Sequence, residues 1–166
     1  MGREPDFETW YRQEQPRLVR AMWAMSGDRE LAADVVEEAF SRALARCDRV
    51  SRMDAPGGWV RMVAVNLVRR SVRRRALEAK ALFRRGEPRF PEAPTPDVEL
   101  WAAVQALPLR QREVIALRYL ADYTEAGTAA ALGISEGATS ASLAKARRRL
   151  AEALDCDRKV TTDEHR

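Results

Sequence analysis

The sequence predicts an all-α protein of two small helical domains joined by a proline-rich linker. Three observations carry that expectation. Apolar residues recur at three- and four-residue steps along most of the 166 residues, which is the spacing of one helix face. Nowhere do four or more residues alternate apolar and polar, as a half-buried strand requires. Between about Arg84 and Pro96 the periodicity stops and Pro88, Pro91, Pro94 and Pro96 crowd together, the composition of an extended, semi-rigid spacer.

Each element follows from local signals. Phe7, Trp10 and Tyr11 and, after Pro16, Leu18, Val19, Met22 and Trp23 mark a first helix. Ser26-Gly27-Asp28 ends it, with Asp28 as cap of the next. Leu31, Ala32, Val35, Val36, Ala39, Phe40, Ala43 and Leu44 mark a second helix. Asp54-Ala55-Pro56-Gly57-Gly58 reads as a loop. A third run places Trp59, Met62, Val63, Val65, Asn66 and Leu67 inward and continues past Val72. After the linker, Asp97 is a plausible cap for Val98, Leu100, Trp101, Val104 and Leu107; Pro108 breaks that run before Val114, Ile115, Leu117 and Leu120. The division expected is a first domain over 1–83, a linker over 84–96, a second domain over 97–155 and a tail over 156–166.

The last two helices form a specific pattern. Thr124 caps a short helix from Glu125 to Leu132, Gly133 supplies a left-handed turn residue, Ile134 an apolar plug, and Ser135 caps a final helix with Leu143, Ala146, Leu150 and Leu154 inward. Leu-Gly-Ile-Ser between two amphipathic helices reads as a DNA-binding helix-turn-helix, an ordinary helical hairpin being the alternative. Lys145, Arg147, Arg148 and Arg149 make the final helix basic.

Charge is segregated in the first domain. The second helix carries Asp28, Glu30, Asp34, Glu37 and Glu38 against Arg29 and Arg42. The third segment carries Arg61, Arg69, Arg70, Arg73, Arg74, Arg75, Lys80, Arg84 and Arg85 against Glu78 alone, whereas the whole chain nets only +4. A polyanion is the natural partner, and with no wide apolar face for lipid, nucleic acid is preferred to membrane. All but three of the 29 cations (Lys80, Lys145, Lys159) are Arg; a GC-rich coding sequence explains most of that bias.

Other classes are disfavoured. No apolar run is long enough to span a bilayer, and Met1-Gly2-Arg3-Glu4-Pro5-Asp6 leads into no apolar segment of a secretory signal. Cys47 and Cys156 stand apart and His165 is penultimate, giving neither a disulfide framework nor a metal site. A reducing cytoplasm is the expected compartment. No phosphate loop, metal constellation or nucleophile with a base is present, so neither an enzyme nor a cofactor is expected.

The motifs together resemble a known family. Gly27-Asp28 with Ala33-Asp34-Val35-Val36-Glu37-Glu38-Ala39-Phe40 is similar to the "gd...AeDlvQeaf" segment of extracytoplasmic-function sigma factors, in the sigma-70 superfamily. Pro56 and Trp59-Val60-Arg61-Met62-Val63-Ala64-Val65-Asn66, then Arg73-Arg74-Arg75, resemble their "p..WlrriarN....rRrr". Ala106-Leu107-Pro108-Leu109-Arg110-Gln111-Arg112-Glu113-Val114 and Leu117-Arg118-Tyr119 resemble "aLpprqRevl.LRy". Glu125-Ala126 with Thr128 through Gly137 resembles "sEaEtAaaLGiseG", a form of the actinobacterial sigma-E-like subset.

The resemblance implies partners and roles. Core RNA polymerase and promoter DNA are the implied partners, with an anti-sigma factor as an option the family allows. Asp34, Glu37 and Glu38 would dock on the β′ clamp. The loop from Val50 to Gly58, with Arg52 and Asp54, would receive a base flipped from the minus-ten element. Arg69, Arg70, Arg73, Arg74 and Arg75 would hold the melted strand and adjacent phosphates. Ser135, Glu136, Thr139, Ser140, Ser142, Lys145, Arg147 and Arg148 would meet the minus-thirty-five element, and that domain the β flap. Trp59 and Asn66 are read as structural. The chain departs from the pattern at Ser140 and Ser142, where the family has basic residues, at Gly127 and Glu37 in place of Glu and Gln, and at Arg70 in place of Asp. Those departures leave open a second function, an adaptor that binds polymerase and reads duplex weakly; a helix-turn-helix regulator working without polymerase is disfavoured by the acidic helix.

Overall fold

The computed structural model describes residues 7–50, 52–53, 56–82 and 98–163, the side chains of 79–82 and 156–163 excepted. The linker over 84–96, the Asp97 cap, Asp54 and His165 therefore lie outside the described residues. Every regular element among the described residues is helical: α1 Phe7–Ser26, α2 Arg29–Leu44, α3 Cys47–Val50, α4 Pro56–Leu82, α5 Val98–Ala106, α6 Leu109–Ile115, α7 Glu125–Leu132 and α8 Glu136–Asp163. The chain divides into two compact units, Met1–Pro91 and Glu92–Arg166.

In the first unit α1, α2 and α4 pack pairwise against one another. The first helix runs through Pro16 without ending and buries Leu18, Ala21, Met22, Ala24 and Met25. It stops where Gly27 turns to φ 72°, its N–H still bonded to the Trp23 carbonyl at 2.8 Å. Asp28 is extended and its Oδ1 accepts from the Leu31 N–H at 2.9 Å, satisfying one of the donors a helix start leaves unpaired. Ala32, Val35, Val36, Ala39, Phe40 and Ala43 of α2 are buried, one stripe at helical spacing. The Phe40 ring meets Tyr11, Trp10 and Phe7 edge-on at centroid distances of 4.8, 5.2 and 6.3 Å.

The buried face of α4 differs from the expected one. Val60, Ala64, Val65 and Val68 are buried, whereas Met62 is 46% exposed, Asn66 is exposed and Trp59 is half-buried. Asn66 is thus no buried hydrogen-bonded core residue. The reason is visible in the composition: residues 59–68 are apolar nearly all round, so several phases fit the period equally well. Packing selects the phase that points small and β-branched side chains at α1 and α2.

In the second unit Pro108 sits just ahead of α6 at φ −52° and ψ 143°, and Leu107 ends α5 with its N–H on the Val104 carbonyl. Ala116–Leu120 widens the end of α6 into a π-type turn, closed by the Ala121 N–H on the Ala116 carbonyl at 3.2 Å. Thr124 Oγ1 accepts from the Gly127 N–H at 2.9 Å. Gly133 adopts φ 65° and ψ 42°, a left-handed cap that glycine reaches without steric cost. Ser135 Oγ accepts from the Ala138 N–H at 3.2 Å and starts α8. Of the expected inward set in α8, Leu143 and Ala146 are buried, while Leu150 and Leu154 are half-buried. The buried Glu113 carboxylate is paired with Arg110 at 3.0 Å, as a charge removed from water must be.

Candidate polymerase and promoter interface

The acidic face comes first. Asp34, Glu37 and Glu38 are all exposed, because the α2 stripe that includes Val35, Val36 and Ala39 points the other way, into the helix packing. Glu38 is joined along the helix to Arg42 at 2.7 Å. Leu44, 58% exposed, stands at the end of α2, so the surface is acidic with an apolar tip.

The basic face runs along α4. Arg70, Arg73, Arg74 and Arg75 are exposed and Arg69 is half-buried. They are not equivalent. Arg74 pairs with Glu78 one turn on, at 3.6 Å. Arg75 Nη1 lies 2.5 Å from Asp28 Oδ2, so it is an ion-pair partner of the α2 cap and not a purely solvated cation. Partial burial pushes the Asp28 carboxyl up, but the Leu31 N–H and the Arg75 guanidinium outweigh it and hold that carboxyl below its ordinary range. The sequence could not reveal this pair, which spans 47 positions.

The loop expected over 54–58 is shorter, since Pro56, Gly57 and Gly58 already form the first turn of α4, and that turn is held in place. Arg61 Nε donates to the Gly57 carbonyl at 3.2 Å and pairs with Glu14 of α1 at 3.6 Å. A Cβ at Gly57 would lie 3.2 Å from Arg61 Nη2 and 3.6 Å from the Trp10 indole nitrogen, so the backbone approaches α1 closely. Arg52 is exposed; Asp54 lies outside the described residues.

The helix-turn-helix sorts its expected residues by reach. Ser135 caps α8 and Glu136 is exposed at its start. Thr139 is fully buried, its hydroxyl donating to the Ser135 carbonyl at 3.2 Å, so it supports the fold and cannot touch DNA. Ser140 is exposed and donates to Glu125 Oε2 at 3.0 Å. Ser142 is half-buried, while Lys145, Arg147 and Arg148 are exposed. Arg147 donates to the Tyr119 hydroxyl at 2.7 Å and sits 5.6 Å from its ring centroid; Arg148 lies 3.8 Å from Glu152. Glu125 and Tyr119 were not expected at this surface. Their partners lie 15 and 28 positions away, beyond what helical periodicity can relate.

Two small helical units, an acidic helix face, an arginine-lined helix and a helix-turn-helix therefore occur in one chain. Residues 10–78 match the model of sigma-70 region 2 and residues 97–150 that of sigma-70 region 4. The chain belongs to the sigma-70 family. It is an extracytoplasmic-function sigma factor, and its relatives agree. It is 28% identical over 177 aligned residues to the RNA polymerase sigma-E factor of Streptomyces coelicolor, covering 100% of this chain and 97% of that one. Against the sigma-E factor of Streptomyces antibioticus the identity is 28% over 157 residues, covering 93% and 87%. The fold resembles that of the sigma factor RpoE solved with the anti-sigma factor NepR from Bartonella quintana, with a TM-score of 0.76 at 22% identity, covering 93% of this sigma factor and 99% of that chain. CnrH, solved with the cytosolic domain of CnrY, gives a TM-score of 0.62 at 22% identity, covering 91% and 88%.

Proposed function

We propose that this sigma factor binds core RNA polymerase through α2, carries it to promoters and helps melt them. The observation that carries the reading is that regions 2 and 4 occur in order in one chain, with opposite charge on α2 and α4 of the first unit. Residues 1–83 act as the polymerase-docking and minus-ten domain, 84–96 as a spacer and 97–155 as the minus-thirty-five domain. Asp34, Glu37 and Glu38 meet the β′ clamp, while Arg52, Asp54, Arg69, Arg70 and Arg73 to Arg75 serve the minus-ten strand. Ser140, Lys145 and Arg148 face upstream duplex, with the β flap against the same domain.

The mechanism needs no covalent step and no enzyme chemistry; it needs tighter binding of the open promoter than of the closed one. Flipping a base costs a few kcal/mol, and stacking of a single-stranded base on an aromatic ring returns about 1–3 kcal/mol. Cations on α4 add phosphate contacts whose strength falls with salt. Among the described residues no helix is long and apolar enough to cross a membrane, and the cytoplasm, where polymerase works, is the proposed compartment. The RpoE structure holds an anti-sigma factor, and a partner of that kind belongs to the proposal.

Run-off transcription tests it. Core polymerase with the purified chain should yield transcripts from a subset of a promoter library, and core polymerase alone should not. Equal output with and without the chain would refute the reading.

A further inference from the structure

We propose that Glu125, oriented by Ser140, is the base-reading group of the helix-turn-helix and accepts a hydrogen bond from the amino group of a cytosine in the upstream element. The inference rests on the sigma-factor reading above. The exposed front of α8 is Glu136, Gly137, Ala138, Ser140, Ala141 and Ala144, and its first cation is Lys145 in the third turn. Past Glu136 at its N-terminus these side chains are short, so deep contact with base edges along the rest of the front falls to groups held beside it. Ser140 is spent differently from a free hydroxyl: it donates to Glu125 Oε2 at 3.0 Å, joining the start of α7 to α8.

That pairing fixes what the site can recognise. A carboxylate accepts and never donates. The hydroxyl occupies one oxygen and orients the other. In the major groove the donors are the cytosine N4 and adenine N6 amino groups, whereas guanine shows two acceptors. Adenine places its N7 acceptor beside the amino group, so cytosine suits a carboxylate best. Facing any other base, or a phosphate, the same charge is unfavourable, and selectivity then comes from the penalty as much as from the bond.

The test uses the holoenzyme on a library with a fixed minus-ten element and a randomised upstream element, sequencing the templates transcribed. Wild type should favour cytosine over each other base at one position by at least ~5-fold, the lower end for a good side chain–base contact. Glu125→Ala should bring that enrichment near unity, and Ser140→Ala should reduce it in part. Glu125→Gln, isosteric but able to donate, should relax the preference while leaving the thermal melt unchanged. Transcription with no cytosine preference, a preference unmoved in Glu125→Ala, or a Glu125→Ala gain on every sequence overturns this inference alone. A chain that supports no transcription from any template overturns the sigma reading and this inference with it.

Discussion

The exposed guanidinium of Arg75 in α4 lies 2.5 Å from the carboxylate of Asp28 that caps α2. One side chain thus serves two helices, since Asp28 accepts the Leu31 N–H with Oδ1 and Arg75 with Oδ2. Replacing Asp28 by Ala removes the cap, at about 0.5–2 kcal/mol, together with a half-exposed ion pair of about 0–1 kcal/mol. Arg75→Ala loses only the second. Urea unfolding should therefore rank Asp28→Ala as the more destabilised; equal losses would mean the cap contributes nothing.

The same carboxylate sets a pH dependence. Its folded pKa is depressed, so its stabilisation is fully present above the ordinary Asp pKa of about 3.9 and is lost as pH falls through the lower folded value. Thermal melts between neutral and acid pH should fall less steeply below about pH 4 in Asp28→Asn than in wild type. Parallel curves would remove Asp28 as a contributor.

Phosphate contacts should differ among the arginines. Arg73 is exposed, and its loss should flatten the slope of log affinity against log salt for promoter binding by about 0.7–0.9. Arg75, already beside a carboxylate, should change the slope less, so replacing Arg73, Arg74 and Arg75 together by Ala falls short of three full contacts. A larger effect from Arg75→Ala than from Arg73→Ala would show that the ion pair opens on DNA.

Docking is tested by charge reversal. Asp34→Lys with Glu38→Lys should abolish co-purification with core polymerase while circular dichroism stays unchanged, both side chains being exposed. Retained association would move the docking surface off α2.

Thr139 separates support from reading. Thr139→Val keeps the shape and deletes a buried hydroxyl that donates to the Ser135 carbonyl, a change expected to cost about 0.5–1.5 kcal/mol without altering which promoters are chosen. A shifted promoter preference at unchanged stability would contradict the buried placement.

Much of this architecture was legible because its signals are local. Asp28, Thr124, Gly133 and Ser135 each act within a few residues of themselves, and the α2 stripe is broken regularly by charge. The phase of α4 was not legible, since Trp59 to Val68 is apolar on almost every side and only packing against α1 and α2 decides it. Thr139 was assigned to the DNA face because a buried hydroxyl that bonds back to its own helix and a contact hydroxyl look alike in sequence. Pairings such as Ser140 with Glu125 depend on how helices meet, which no single-helix period encodes.

Strand separation is the step that distinguishes a sigma factor from a polymerase adaptor. Permanganate reactivity of minus-ten thymines, measured with core polymerase and this chain on a selected promoter, reads that step directly. The account predicts reactive thymines only when both are present, and their loss in the Arg69, Arg70 and Arg73 triple Ala variant. A promoter bound by the complex whose minus-ten thymines stay protected would contradict it.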